Sequence, residues 1–412
     1  MRAKIVGVAV AAMLTLAVSA CGAGDDKKGD DASAKEPGLV IWADDKRAPV
    51  LESFKAQFEK ELGVTVKVEA VSKDLQANFV TASQGDNAPD VVVGAHDWIG
   101  NLVQNGAIDP VQLTDPQKAG FNADALKAVS YNGQIYGAPY AMENLALIRN
   151  TELAPEAPAT FEDLVADAKK LKQDGKTEEL LSLQVGQNGD AYHAYPLYAS
   201  AGGYLFGEKA NGDYDPADLG VGKPESVKAF EKISALGKDG VLKTSIGSEN
   251  STPLFTSKKT AYLVSGPWAI ADVKKSGIKY DITPIPGFKG MDKATPFLGV
   301  QSFFVAAKGK HKAVAQEFVT NYVTGKDLAK ALYTADPRPP ALTAAFDEVK
   351  AADPDIAKFQ AAGAGAKPLP SIPEMSAVWD PFGKAEAAIV GGSDVTETVN
   401  GAATAISGAI KK

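Results

Sequence analysis

The chain has 412 residues, long for one hydrophobic core, so two globular lobes are expected. Its 45% hydrophobic and 23% charged residues are ordinary for a globular protein. A net charge of −8 with no Lys/Arg cluster excludes the basic face of a nucleic-acid binder, and a single cysteine excludes an internal disulfide.

The first 20 residues read as an export signal. Arg2 and Lys4 precede an apolar stretch of 14 residues, Ile5 to Val18, which is too short to span a bilayer. "VSAC" follows and looks like a bacterial lipobox, so Cys21 is expected to be acylated after cleavage and to anchor the chain in a membrane. Loss of Arg2 and Lys4 takes the formal charge from −8 to −10. Residues 21–37 then form a flexible tether. Residues 22–37 contain no aromatic or β-branched residue and, as a coil, span roughly 20–24 Å. No later stretch has about 18 continuous apolar residues, so the body is not expected to cross a membrane.

From residue 38 the periodicity changes. Leu39–Trp42 is a short apolar strand. In "VLESFKAQFEKEL", Leu51, Phe54, Phe58 and Leu62 recur at helical spacing until Gly63 stops the helix. Val64, Val66 and Val68 alternate with polar residues as a strand does. "KDLQANFVTAS" is helical again, and Val91–Val93 is a buried strand. This strand–helix order predicts parallel crossovers, with ligands beyond the carboxyl ends of the strands. "ADDK" (43–46) and "AHDW" (95–98) follow the first and third strands, which puts Asp44, Asp45, Lys46, Asp97 and Trp98 on one rim. Further on, Thr160 caps a helix that Gly175 ends. "AYLVSGPW", "KYDITPIPGF" and "FLGVQSFFVAA" read as strands, "KAVAQEFVTNYV" as a helix, and "IPEMSAVWDPFGKAEAAIV" as a final helical region.

No catalytic or cofactor motif appears, and no metal or cofactor is expected. The three histidines, His96, His193 and His311, lack zinc-ligand spacing. His311 reads as a solvated helix start. For His96 and His193, near the rim loops, a structural role outweighs ligand contact. "GAGAKP" and "GVGKPE" read as turns rather than phosphate loops, because neither is expected to follow a strand and open a helix. "DYDPAD" (213–218) reads as a surface turn. Glycosidase chemistry needs only two placed carboxylates and therefore stays open.

Of four tryptophans, Trp42 ends the first strand and reads as core. Trp98, Trp268 and Trp379 each fall at an element boundary beside small or polar residues. Flat rings suit the apolar face of a pyranose, and carboxylates suit its rim of hydroxyls.

From about Gly38 to the C-terminus the chain resembles the bacterial maltose-binding proteins, the extracellular solute-binding components of carbohydrate ABC importers. The matching stretches are "LVIWADDK", "PDVVVGAHDWIG", "YNGQIYGAPYAMENLALIRN", "YPLYASAGGYLF", "SGPWA", "PIPGFKG", "PFLGVQS" and "IPEMSAVW". The resemblance implies a two-lobed α/β periplasmic-binding-protein fold, each lobe a mostly parallel sheet flanked by helices, with the ligand cleft between them. It implies an N-lobe of 38–142 plus 303–350, a C-lobe of 145–298 plus 354–412, and hinges near Met142–Leu145 and Ser302–Phe304. Sugar contacts would fall on Asp45, Lys46, Asp97, Glu143, Tyr192, Trp268 and Trp379. The chain departs from the family's maltose binder at Gln76 and Ala77 (an acidic pair there), Gly94 (an aromatic), Trp98 (an arginine), Asp380 (a tyrosine) and Gly383 (an arginine).

The expectation is therefore a monomeric, lipid-anchored, extracytoplasmic protein. It captures a maltose- or maltodextrin-like oligosaccharide by hinge closure and delivers it to an ABC permease. The rival readings are a surface-anchored glycoside hydrolase using two of Asp45, Asp97 and Glu143, and an adhesion or structural lipoprotein without a small ligand.

Overall fold

The structure is a computed structural model that describes residues 38–85 and 87–411. The expected signal peptide, Cys21 and the tether to residue 37 lie outside the described residues.

The first five elements follow the sequence pattern. Strand β1 is Leu39–Ala43, helix α1 Ala48–Leu62, strand β2 Val66–Ala70, helix α2 Leu75–Ala82 and strand β3 Val91–Ala95. Gly63 ends α1 at φ 69°, a left-handed conformation that costs glycine little, and its N–H bonds the Glu59 carbonyl. β1 pairs in parallel with β2 on one side and β3 on the other. The sheet continues with Gly299–Ala306, antiparallel to β3, to Ile108–Asp109 and to Gly137–Glu143. A second sheet has the order Tyr280–Thr283, Ala146–Asn150, Tyr262–Ser265, Ser182–Leu183.

Each sheet has one reversed strand. In the first it is Gly299–Ala306, reached from the second sheet; in the second it is Ala146–Asn150, reached from the first. The remaining strands of each sheet point one way, as the expected mostly parallel sheets require, yet most ladders are antiparallel because the reversed strand sits inside. Three apolar clusters fill the faces. One joins Leu39, Ile41, Val91–Val93, Phe303–Val305, Phe318 and Leu332. The second joins Leu147, Phe161, Leu197, Phe230, Tyr262 and Phe382 on one face of the second sheet, and the third packs Ile148, Phe255, Leu263 and Phe359 on its other face.

The chain leaves the first sheet after Glu143 and enters the second at Ala146, within the expected hinge. The return differs from expectation. Gly299 already pairs with Glu143, so Ser302–Phe304 lie fully buried in mid-strand, and the passage between sheets precedes residue 299.

Three local readings are corrected. "DYDPAD" belongs to the strand Tyr214–Leu219, paired with Phe206–Glu208; this edge strand is half-exposed on both faces, so it shows no clean alternation. "GVGKPE" consequently does follow a strand and open a helix, Pro224–Lys238. Its glycine serves packing: a side chain on Gly222 would begin 2.5 Å from the Ala403 methyl. His311 does begin a helix, but its backbone N–H and ring Nδ1 bond the buried Asp90 carboxylate at 2.7 and 3.2 Å, so it is a structural partner rather than a solvated cap. The Thr160 cap forms as read: the Thr160 hydroxyl accepts from the Asp163 N–H and the Asp163 carboxylate from the Thr160 N–H, both at 3.1 Å.

Candidate functional site

Two strands, one from each sheet, end in the same device. β3 runs into a 3-10 turn, His96–Trp98, and Tyr262–Ser265 into another, Pro267–Ala269. In both, a tryptophan ring lies flat on a glycine. A Cβ on Gly94 would stand 2.0 Å from the Trp98 ring, and one on Gly266 2.1 Å from the Trp268 ring. Neither glycine has a positive φ, so the requirement is steric. The departures at Gly94 and Trp98 are thus one change: the ring at 98 fills the room that the glycine at 94 leaves. Gly266→Ala should therefore push Trp268 off its seat at a cost of about 1–3 kcal/mol in stability. Indole fluorescence beside a thermal melt checks this; an unchanged spectrum and midpoint would mean that the ring seat is immaterial.

His96 anchors the first turn. It is fully buried, with Nδ1 against Val300 and Nε2 3.2 Å from the Leu369 carbonyl. Burial lowers its pKa to about 4, so it is neutral and structural. The side chain of Trp379, which opens the helix Trp379–Val390, lies close enough to the next residue, Asp97, to favour its ionised form. A residue at the end of the first sheet thus neighbours the helix that packs on the second. Burial pushes the Asp97 carboxyl up to about 6. The sign follows from linkage. A raised carboxyl costs stability when ionised, so its contribution improves as pH falls through 6, whereas the depressed His96 loses stability as pH falls below about 6.5. The two oppose each other. Asp97→Asn removes the compensating gain and should make stability fall about 1 kcal/mol more steeply between pH 7 and 5 than in the parent. Urea melts at both pH values measure this; parallel slopes would refute it.

Glu143 ends the crossing strand and is 9% exposed. One carboxylate oxygen accepts from Gln301 Nε2 at 3.2 Å, and the other pairs with Arg338 Nε. Arg338 also pairs with Asp336, which pairs with Arg47 at 2.9 Å; Arg47 reaches Asp44 and Tyr140 Oη, each at 2.7 Å. Three carboxylates and two guanidiniums thus form one chain from the end of β1 to the crossing. Burial raises the Glu143 pKa, but Arg338, Arg47 and Gln301 outweigh it and hold the carboxyl below its ordinary value. Glu143 pairs opposite Gly299 and Ala95 opposite Gln301 of the same strand, so Glu143 and Asp97 stand at one end of the first sheet.

The wall on the second sheet is aromatic. Tyr192 lies on the helix Ala191–Ser200, with its ring 6.3 Å from Trp268; the ring of His193 stands edge-on to the same tryptophan, also at 6.3 Å. The Tyr192 hydroxyl is buried without a hydrogen-bond partner among the described residues. Asp190 caps this helix through the His193 N–H at 2.9 Å, and its own N–H bonds the buried Glu386 at 2.6 Å.

The structure brings Asp97, Glu143, Tyr192, Trp268 and Trp379 together. Trp98 is half-buried against the first core. Asp44 spends its oxygens on the Lys46 and Arg47 N–H groups and the Arg47 guanidinium. Asp45 and Lys46 are exposed, Asp45 bonding Ser72. Sequence reading missed Arg47, Arg338, Asp336, Asp190 and Glu386. "DPRPP" was the available signal for Arg338, since two prolines fix the backbone that presents it. Among the described residues, no group of three or more His, Cys, Asp or Glu could hold a metal, and no helix is long and apolar enough to cross a membrane.

Comparison with known proteins agrees with this geometry. A family model described as bacterial extracellular solute-binding protein matches residues 53–358. The galactooligosaccharide-binding protein of Bacillus subtilis is 29% identical over 97% of this chain and 96% of its own length. A maltooligosaccharide ABC transporter solute-binding lipoprotein of Streptococcus pneumoniae is 29% identical over 100% and 97%, and the maltodextrin-binding protein MdxE of Bacillus subtilis 30% identical over 90% and 89%.

Proposed function

Because the chain belongs to the bacterial extracellular solute-binding proteins, and so binds a solute rather than catalysing a reaction, we propose that it captures a neutral, maltodextrin-like oligosaccharide and delivers it to an ABC permease. The observation that carries the reading is the convergence of Asp97 and Glu143, from the first sheet, with Tyr192, Trp268 and Trp379, from the second. Rings supply stacking, and the carboxylates and the unpartnered tyrosine hydroxyl supply hydrogen bonds. The excess of carboxylates over guanidiniums disfavours an anionic ligand and leaves acceptors for sugar hydroxyls. The hydrolase alternative falls with the family assignment.

A galacto-oligosaccharide is the competing ligand, favoured by the Bacillus subtilis relative matched along nearly its whole length. Calorimetry with maltotriose and galactotriose side by side decides between them; heat from neither, with no thermal shift, sinks the oligosaccharide reading. A saturating sugar at 100 times its Kd should add about 2.7 kcal/mol to the unfolding free energy.

The proposal includes the lobes 38–142 with 299–350 and 145–298 with 354–412, the returning segment moved from 303 to where its strand begins, closing on the sugar about Met142–Leu145 as a monomer. It includes lipidation at Cys21, which holds the protein at the outer face of a membrane. Cys21→Ser should release the protein in soluble form; continued membrane association would refute the anchor.

A further inference from the structure

We propose that Arg338 is an internal competitor for the ligand: its guanidinium occupies the Trp268 ring and the Glu143 carboxylate, and a sugar must displace it to bind. The inference rests on the oligosaccharide reading above.

The guanidinium carbon stands over the Trp268 ring, 5.1 Å from its centre. The ring already lies across Gly266 on one side, so only one face is left for a stacking partner. Both oxygens of Glu143 are also taken, one by Gln301 and the other by Arg338. A pyranose needs an apolar face and acceptors for its hydroxyls, and a single side chain now covers one of each. Arg338 is suited to this because a guanidinium is flat and stacks as a sugar ring does.

Only its side chain is free to leave. Met142 N–H bonds the Pro339 carbonyl at 2.8 Å, and Ala341 N–H bonds the Tyr140 carbonyl at 3.0 Å, so the backbone is fastened along the crossing strand. Asp336 gives the displaced cation somewhere to stay, since it pairs with Arg338 independently of Glu143. The contact also spans the two sheets: Glu143 ends a strand of the first, and Trp268 follows a strand of the second. Arg338 therefore bridges the two sheets in the unliganded protein, where it favours compact conformations, and closure on the sugar exchanges this bridge for one made by the ligand.

Arg338→Lys tests this best, because lysine keeps a cation for Glu143 and Asp336 but loses the flat plane; Arg338→Ala removes both and is the variant at risk of misfolding. Maltotriose and galactotriose are titrated into parent and variants by calorimetry. Whichever sugar the parent binds should bind the lysine variant roughly 3- to 30-fold more tightly. Scattering from the unliganded variant should give a larger radius of gyration than the parent. Weaker or unchanged affinity in the lysine variant overturns the proposal. If the parent binds neither sugar, the oligosaccharide reading fails separately, and the unliganded radius alone decides: an unchanged value overturns the latch.

Discussion

Arg47→Met should lower the unfolding free energy by about 3–5 kcal/mol, the usual consequence of leaving a buried charge network without one of its cations. Arg47 is 7% exposed and touches Asp44, Asp336 and Tyr140 at once. Without it, Asp44, Asp336 and Glu143 share the single cation of Arg338. Methionine fills most of the volume, so the deficit reports charge rather than a cavity. Urea melts at pH 7 measure it, and a loss under about 1 kcal/mol would mean that water screens the network. Acid supplies a second signature. Burial works against ionised Glu143, but the guanidiniums prevail and depress its pKa. A depressed carboxyl gives stability that is present above its unfolded pKa and lost as pH falls through the folded one. Arg47→Met weakens that depression, so the curves of parent and variant should converge below about pH 4.

Gly189→Ala should do comparable damage by a different route. Gly189 has φ +75°, and a Cβ there would lie 1.6 Å from the Gly383 carbonyl oxygen. Left-handed strain costs about 1–3 kcal/mol and the overlap with backbone roughly as much again. Asp190 follows directly, so the cap of the helix carrying Tyr192 and His193 would shift, and sugar affinity should drop by more than about tenfold. Gly212→Ala is the control: its φ is +82°, but a Cβ there meets nothing within 4 Å, so only about 1 kcal/mol should be lost. Equal effects at both positions would show that strain alone matters and that the close approach at Gly383 does not.

The contrast at Gly383 also shows what was legible in the sequence. The departure from the family's arginine could be read, but its reason, a loop 194 residues earlier in the chain resting on that backbone, could not. The strands and helices from Leu39 to Ala95 were plain because β1 and α1 bury one face at a regular period and β3 is a continuous apolar run buried on both faces. Asp97 and Trp98 could be placed on a rim because they directly follow such a strand. Arg338 could not be paired with Glu143, since the two lie 195 residues apart and charge carries no period. "DYDPAD" hid its strand because an edge hairpin buries neither face fully, and the position of the following glycine loop was lost with it.

The reversed strand at the heart of the first sheet has a consequence for how the protein is made. β1, β2 and β3 are complete by residue 95, yet the strand that covers the free edge of β3 begins at Gly299. The His96 ring waits for Val300, 204 residues later in the chain. At about 5–20 residues per second, synthesis leaves that edge open for roughly 10–40 s. Nascent chains stalled before residue 299 should be cut by protease within β1–β3, and chains stalled well past residue 306 should resist; early resistance would show that the first three strands stand alone. Protease sensitivity before residue 299 would mean that the order of elements defers folding of the first sheet until most of the polypeptide exists, keeping the chain threadable for as long as a translocation channel would need it.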